Sequence, residues 1–124
     1  MLTNSRCIES NQTGPHDRLR ETVLKHSQKP FLKPIADHTQ RVFDQIQNKV
    51  SNSDQPIVFD ACCGVGDSSR TLAERHPNHW VIGIDKSESR ISRERPGDMP
   101  ENLILARADL NDFYRLAKGA GWAF

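Results

Sequence analysis

Ile57-Val58-Phe59-Asp60-Ala61-Cys62-Cys63-Gly64-Val65-Gly66-Asp67 is the stretch that decides the reading of this chain. Three β-branched or aromatic residues run into an acid, two glycines follow, and from Asp67 the sequence continues to Arg75 in residues suited to a helix. An apolar run of strand length, a glycine turn and a helix start are the parts of a strand-to-helix handover. Gly64 and Gly66 let the backbone turn tightly and let a ligand approach it, while the free N–H groups at the helix start favour negative charge.

Working outward, the alternation repeats. Apolar runs at Ile57 to Phe59, Trp80 to Ile84 and Leu103 to Ala106 are short and not strictly alternating, as strands buried on both faces of a parallel sheet are. Between them lie Asp67 to Arg75, stopped at His76-Pro77, and a weaker segment, Ser87 to Glu94, with Ile91 as its apolar residue. A helix from about Asn111 to Lys118 carries Phe113, Leu116 and Ala117 and ends at Gly119. The order predicts an α/β fold, the N-terminal half of a Rossmann-like doubly wound parallel sheet. Upstream, Ile35, Thr39, Val42, Phe43, Ile46 and Val50 recur at helical intervals, which predicts an amphipathic helix over 36–50 before the turn cluster Ser51 to Pro56.

The expected layout is a flexible polar arm over 1–28, a packing helix and linker over 29–55, and an incomplete cofactor-binding domain over 56–124. Trp122-Ala123-Phe124 reads as the first residues of a fourth strand. The expectation is therefore a chain that ends inside its sheet, either a fragment or a natural short product, with an exposed sheet edge and self-association through it.

Composition narrows the partners. The 124 residues allow one domain, and 17 Lys and Arg against 16 Asp and Glu give a net charge of +1, which excludes a histone-like basic protein or an acidic tail. No apolar run approaches the ~20 residues that span a bilayer, and Met1 to Ser10 lacks the features of a secretory signal, so the expectation is a cytoplasmic protein without a membrane partner. Cys7, Cys62 and Cys63 contain no CxxC and read as reduced thiols, and the five histidines are scattered, so no metal site is expected.

A dinucleotide site calls for G-x-G-x-x-G/A, but Ser69 holds the third position and Asp60 would oppose a pyrophosphate. That disfavours an NAD-dependent oxidoreductase and suits a ligand with a cationic amino-acid end. S-adenosyl-L-methionine is such a ligand. The second strand ends in Asp85, where a carboxylate can accept both ribose hydroxyls, followed by Lys86. The third is expected to end in Asp109, placed to bond an adenine amino group, with Ala108 and Leu110 lining the ring. Each such Asp also has a plainer reading as a helix N-cap, but three in succession at one sheet edge, beside a glycine loop, favour a site.

The segments PIVFDACCGVGDSSRTLAERHPNHWVIGID (56–85) and NLILARADLNDF (102–113) resemble the class I S-adenosylmethionine-dependent methyltransferases, and among them the tRNA (guanine-N7)-methyltransferases. The resemblance covers about residues 56 to 118. It implies that Asp60 sits near the methionine end, that Gly64 and Gly66 form the close-approach backbone with the Cys62 side chain beside them at the cofactor, and that Asp85 and Asp109 take ribose and adenine. The family's acid-x-Gly-x-Gly-x-Gly appears here as Asp60-Ala61-Cys62-Cys63-Gly64-Val65-Gly66, with Cys62 in place of the first glycine. The family's substrate-side motif would lie beyond Phe124, so no catalytic residue is assigned. For a complete protein the resemblance implies displacement at the sulfonium methyl by guanine N7, which carries no proton to remove. Lys86, Arg90, Arg93 and Arg95 would hold tRNA phosphates, their alternative reading being a solvated helix face. A non-catalytic or remnant binding domain is the alternative function.

Overall fold

Short strands separated by helices leave little choice but parallel pairing, since each crossover returns the chain to the same end of the sheet. The computed structural model describes residues 11–30 and 33–124. In chain order its elements are α1 (Leu19–Gln28), α2 (Asp37–Val50), β1 (Ile57–Ala61), α3 (Asp67–Arg75), β2 (Trp80–Asp85), α4 (Glu88–Ile91), β3 (Leu103–Arg107) and α5 (Leu110–Gly119). The strands form a three-stranded parallel sheet in the order β1-β2-β3, a partial Rossmann-like fold. Ile57 pairs with Trp80 and Val81 with Leu103, a register that brings Asp60, Asp85 and the residues just past β3 to the same sheet edge.

One face of the sheet is covered by α2 and α5. Phe43, Ile46 and Val50 of α2 meet Ile82, Ile84, Ala106, Ala108 and the α5 residues Phe113 and Ala117 in one apolar cluster. Phe113 stacks on Phe59 at 5.7 Å and meets Phe43 edge-on at 5.4 Å. Polar contacts set how α2 docks: Asp112, buried in the first turn of α5, accepts the Ala36 N–H at 3.0 Å, and the Asp109 N–H donates to Thr39 Oγ1 at 3.0 Å. Both bonds satisfy groups that helix starts otherwise leave without partners.

The other face carries α3, whose Ser69 and Ala73 are buried. Here Gly83 is a necessity of space: a Cβ at that position would run into Ser69 Oγ and come within 2.7 Å of Leu105 Cδ2. Beyond α3, the Asn102 amide donates to the carbonyls of Ala73, His76 and His79, at 3.0, 2.9 and 2.9 Å, and so fixes the approach to β3.

Three sequence expectations change. The arm expected over 1–28 contains a helix, α1, because Leu19 and Val23 stand one turn apart on one face and the intervening residues favour helix. Its Leu19, Val23 and Leu24 stay about half exposed in the unit that ends at Lys33, separate from the unit Pro34–Phe124. Residues 1–10 of that expected arm lie outside the described residues. The segment over 87–94 keeps only the four-residue α4, since Ile91 alone supplies it with an apolar anchor. Trp122 to Phe124 is not a strand. Gly121, at φ +77°, ends α5 in a left-handed cap in which the Trp122 N–H reaches Ala117 O at 3.0 Å and the Gly121 N–H reaches Lys118 O at 3.1 Å. That cap turns Trp122 onto Phe43 and places the Phe124 ring 5.3 Å from Phe59.

Replacing Gly83 by Ala overfills the α3 face and should lower stability by about 1–3 kcal/mol, read as a lower midpoint in urea unfolding.

Candidate functional site

The loop between β1 and α3 enters left-handed backbone at alternate residues. Cys62 has φ +57°, Gly64 +61° and Gly66 +90°. Gly66 must also stay bare, because a Cβ there would lie 2.7 Å from Leu105 Cδ1. Cys62 carries a side chain in a conformation that costs an L-residue roughly 1–2 kcal/mol, so the position where the family motif has glycine is the one where glycine's freedom is needed. The turn is pinned by the Cys63 N–H on Ile84 O at 3.0 Å and the Gly66 N–H on Cys63 O at 3.1 Å.

Asp85 closes β2 and is buried. Its Oδ1 accepts the Ser87 N–H at 2.8 Å and its Oδ2 the Gly64 N–H at 2.9 Å, with Arg90 Nη1 at 3.8 Å. The Ser87 N–H holds the carboxyl below its ordinary value; burial pushes the other way, and the Gly64 N–H, Arg90 and Lys86 add to the lowering. Each carboxylate oxygen has two lone pairs and spends one on the backbone, so acceptor capacity remains for a ligand.

Asp60, the penultimate residue of β1, turns toward α3, where its Oδ2 accepts the hydroxyls of Ser68 at 2.7 Å and Ser69 at 2.6 Å. The buried Cys63 thiol lies in the same network; burial raises its pKa, the Ser69 hydrogen bond lowers it, and Asp60 and Asp85 raise it further. The balance favours the thiol over the thiolate. Asp109 is the N-cap of α5, its Oδ1 accepting the Asp112 N–H at 2.9 Å, so the plainer reading of this Asp holds for that oxygen.

A cleft of about 270 Å³ gathers much of this at the C-terminal sheet edge. It is lined by Cys62, Asp85, Lys86, Ala108, Asp109 and Leu110 of the residues singled out in the sequence, together with Ile84, Arg90 and Asn111. Asp60, Gly64 and Gly66 are not part of that lining, and Gly64 is joined to it by its N–H on Asp85. A larger cavity of about 380 Å³ lies along β3 between α2 and α4, lined by Val42, Ile46, Ile91 and Ile104 among others. It contains neither the glycine loop nor a strand-end Asp, and the chemistry points to the smaller cleft.

Of the four basic residues after β2, Arg95 is fastened within the protein. Its Nε donates to Val65 O at 2.8 Å, Nη1 to Arg93 O at 2.9 Å, and Nη2 to Ile91 O at 2.9 Å and Arg90 O at 3.2 Å. Lys86 and Arg93 are exposed, and Arg90 lies between solvent and Asp85. Sequence reasoning missed the serine pair on Asp60 and the Arg95 fastening. The first had a signal in small hydroxyl residues one turn into a helix that follows a strand-end acid, and the second had none. Among the described residues no group of three or more His, Cys, Asp and Glu is arranged to hold a metal, and no helix is long and apolar enough to cross a membrane.

No protein-family model matches the chain. It is similar to a trans-aconitate 2-methyltransferase of Variovorax paradoxus (strain S110), 33% identical over 76 residues, which is 61% of this chain and 27% of that protein. A trans-aconitate 2-methyltransferase of Sinorhizobium fredii (strain NBRC 101917 / NGR234) is 38% identical over 53 residues, 43% of this chain and 20% of that one. The chain spans about a quarter of the length of the curated relatives it matches. Both relatives are methyltransferases, which supports the class I methyltransferase resemblance at that level, and neither name carries a tRNA or guanine acceptor.

Two measurements check this geometry. Cys62→Gly relieves the left-handed strain at some cost in unfolded-chain entropy, so a net stabilisation of about 0.5–1 kcal/mol is expected in urea unfolding. The Asp85 carboxyl, with a folded pKa below its ordinary 3.8, stabilises the fold above that pH and loses its contribution as pH falls through the folded value. The stability difference between the wild type and Asp85→Asn should therefore be full near neutral pH and shrink below pH 3.8.

Proposed function

We propose that residues 56–118 form the S-adenosylmethionine-binding portion of a methyltransferase. The observation that carries this is Asp85: a buried carboxylate, ionised by backbone N–H groups, with lone pairs left at a cleft that also holds Asp109. Two acids at one cleft fit a ligand rich in hydroxyl and amino donors and oppose a pyrophosphate. At about 270 Å³, the cleft is at the small end for ligand sites and suits a nucleoside lying against Ala108 and Leu110.

In this reading Asp85 accepts the ribose hydroxyls and the remaining oxygen of Asp109 faces the adenine amino group. The glycine loop offers bare backbone toward the methionine end, and Asp60, oriented by Ser68 and Ser69, gives that end a negative field. S-adenosylmethionine, when bound, supplies an electrophilic methyl on a sulfonium. The residues of this chain bind and orient, and no proton transfer is asked of them.

For the acceptor, the motif resemblance implies guanine N7 of tRNA, and the names of the similar proteins offer trans-aconitate instead. The fastening of Arg95 takes one of the four basic residues out of the set read as phosphate contacts and leaves Lys86, Arg90 and Arg93. A domain that binds cofactor without transferring methyl is the second reading.

Calorimetric titration with S-adenosylhomocysteine, with NAD as control, tests the cofactor assignment. Binding of the first ligand alone is expected, weakened about 10- to 100-fold in Asp85→Ala, the loss of charge-assisted hydrogen bonds. Asp109→Asn keeps the helix cap and removes the charge, and should weaken binding without changing the unfolding midpoint. Failure of the folded wild type to bind, or equal binding of NAD, overturns the proposal.

A further inference from the structure

We infer that Arg95 is a positioning residue for the cleft, the fastening that holds the glycine loop and α4 as one unit. The inference rests on the cofactor reading for its consequence and on the hydrogen bonds themselves for its mechanism.

The glycine loop is gripped on two sides. On the cleft side the Gly64 N–H is held by Asp85 Oδ2, at 2.9 Å. On the far side the next carbonyl, Val65 O, accepts from Arg95 Nε at 2.8 Å. Both grips lead to the same short helix. Asp85 takes the N–H of Ser87, the N-cap of α4, and Arg95 takes the carbonyls of Arg90 and Ile91 at its end. Glycine loop, Asp85, α4 and Arg95 therefore form a closed circuit of hydrogen bonds.

The planar fork of a guanidinium is what allows one side chain to bridge the two segments, because Nε and Nη2 point to different acceptors at once. The need for such a bridge follows from the local sequence. A loop with three left-handed residues in five has little conformational preference of its own beyond its glycines, and a four-residue helix is too short to hold itself. Arg95 is outside the cleft lining, so it acts on a ligand only through Val65 and α4. Arg70 is the natural comparison. It binds the same connecting segment, donating to Pro96 O at 2.7 Å and Asp98 O at 3.1 Å, but it ties that segment to α3, on which it stands, and not to the glycine loop.

The test compares wild type, Arg95→Ala, Arg95→Lys and Arg70→Ala in the full 124-residue chain, by amide hydrogen exchange without ligand and by S-adenosylhomocysteine titration. Arg95→Ala should speed exchange together at residues 64–66 and 88–92, leave β2 protected, and weaken binding about tenfold, the worth of one charge-assisted hydrogen bond. Arg95→Lys keeps the charge without the fork and should bind as weakly as Arg95→Ala. Arg70→Ala should loosen residues 96–98 and bind like wild type. Unchanged exchange at 64–66 in Arg95→Ala overturns the clamp, as does equal weakening by Arg70→Ala or full recovery in Arg95→Lys. If the wild type binds no S-adenosylhomocysteine while the coupled exchange is seen, the clamp stands and the cofactor reading falls.

Discussion

The fold around the site depends on one carboxylate. Asp85 lies at the end of the central strand, buried, and its two oxygens are shared between the glycine loop at Gly64 and the start of α4 at Ser87. A buried charge is costly unless it is hydrogen-bonded, and here the backbone N–H groups of two loops are the compensation. The constraint runs in both directions. The loops are ordered because the carboxylate needs donors, and the carboxylate stays ionised because the loops provide them.

Much of the remaining architecture brings those donors into place. The left-handed turn at Cys62 and Gly64 presents an N–H to β2 that an ordinary turn would direct elsewhere, and Gly83 gives α3 and Leu105 the space to close over the loop. On the opposite face, α2 and α5 contribute the apolar cluster, and the Asp112 and Thr39 contacts fix the α5 N-terminus so that Asp109 reaches the cleft. Function and stability thus meet in the same groups, and the acids at the sheet edge serve the chain before they serve any ligand.

Strand positions were legible because β-branched and aromatic runs between glycine and proline punctuation have few alternatives, and the parallel order followed from the intervening helices. The cleft residues Asp85, Ala108, Asp109 and Leu110 were legible for a similar reason, since strand ends of a parallel sheet converge on one edge. The tail was not. Gly121 lies two residues past Gly119, and which of two nearby glycines caps a helix depends on where Trp122 finds a surface, a tertiary fact. α1 was missed because three apolar residues among polar ones make a weak stripe. The direction in which Asp60 turns and the fastening by Arg95 depend on hydrogen bonds between segments distant in sequence, which leave no period to read.

The central claim, that the ligand edge is built on Asp85 and its two loops, is tested most directly by mapping backbone amide chemical shifts of the 15N-labelled chain on addition of S-adenosylmethionine. The account predicts that Gly64, Asp85, Ser87 and Leu110 shift together and saturably, while Val42, Ile46 and Ile104 along the larger cavity do not. Shifts confined to the larger cavity, or a spectrum of a folded chain that does not change, would contradict it.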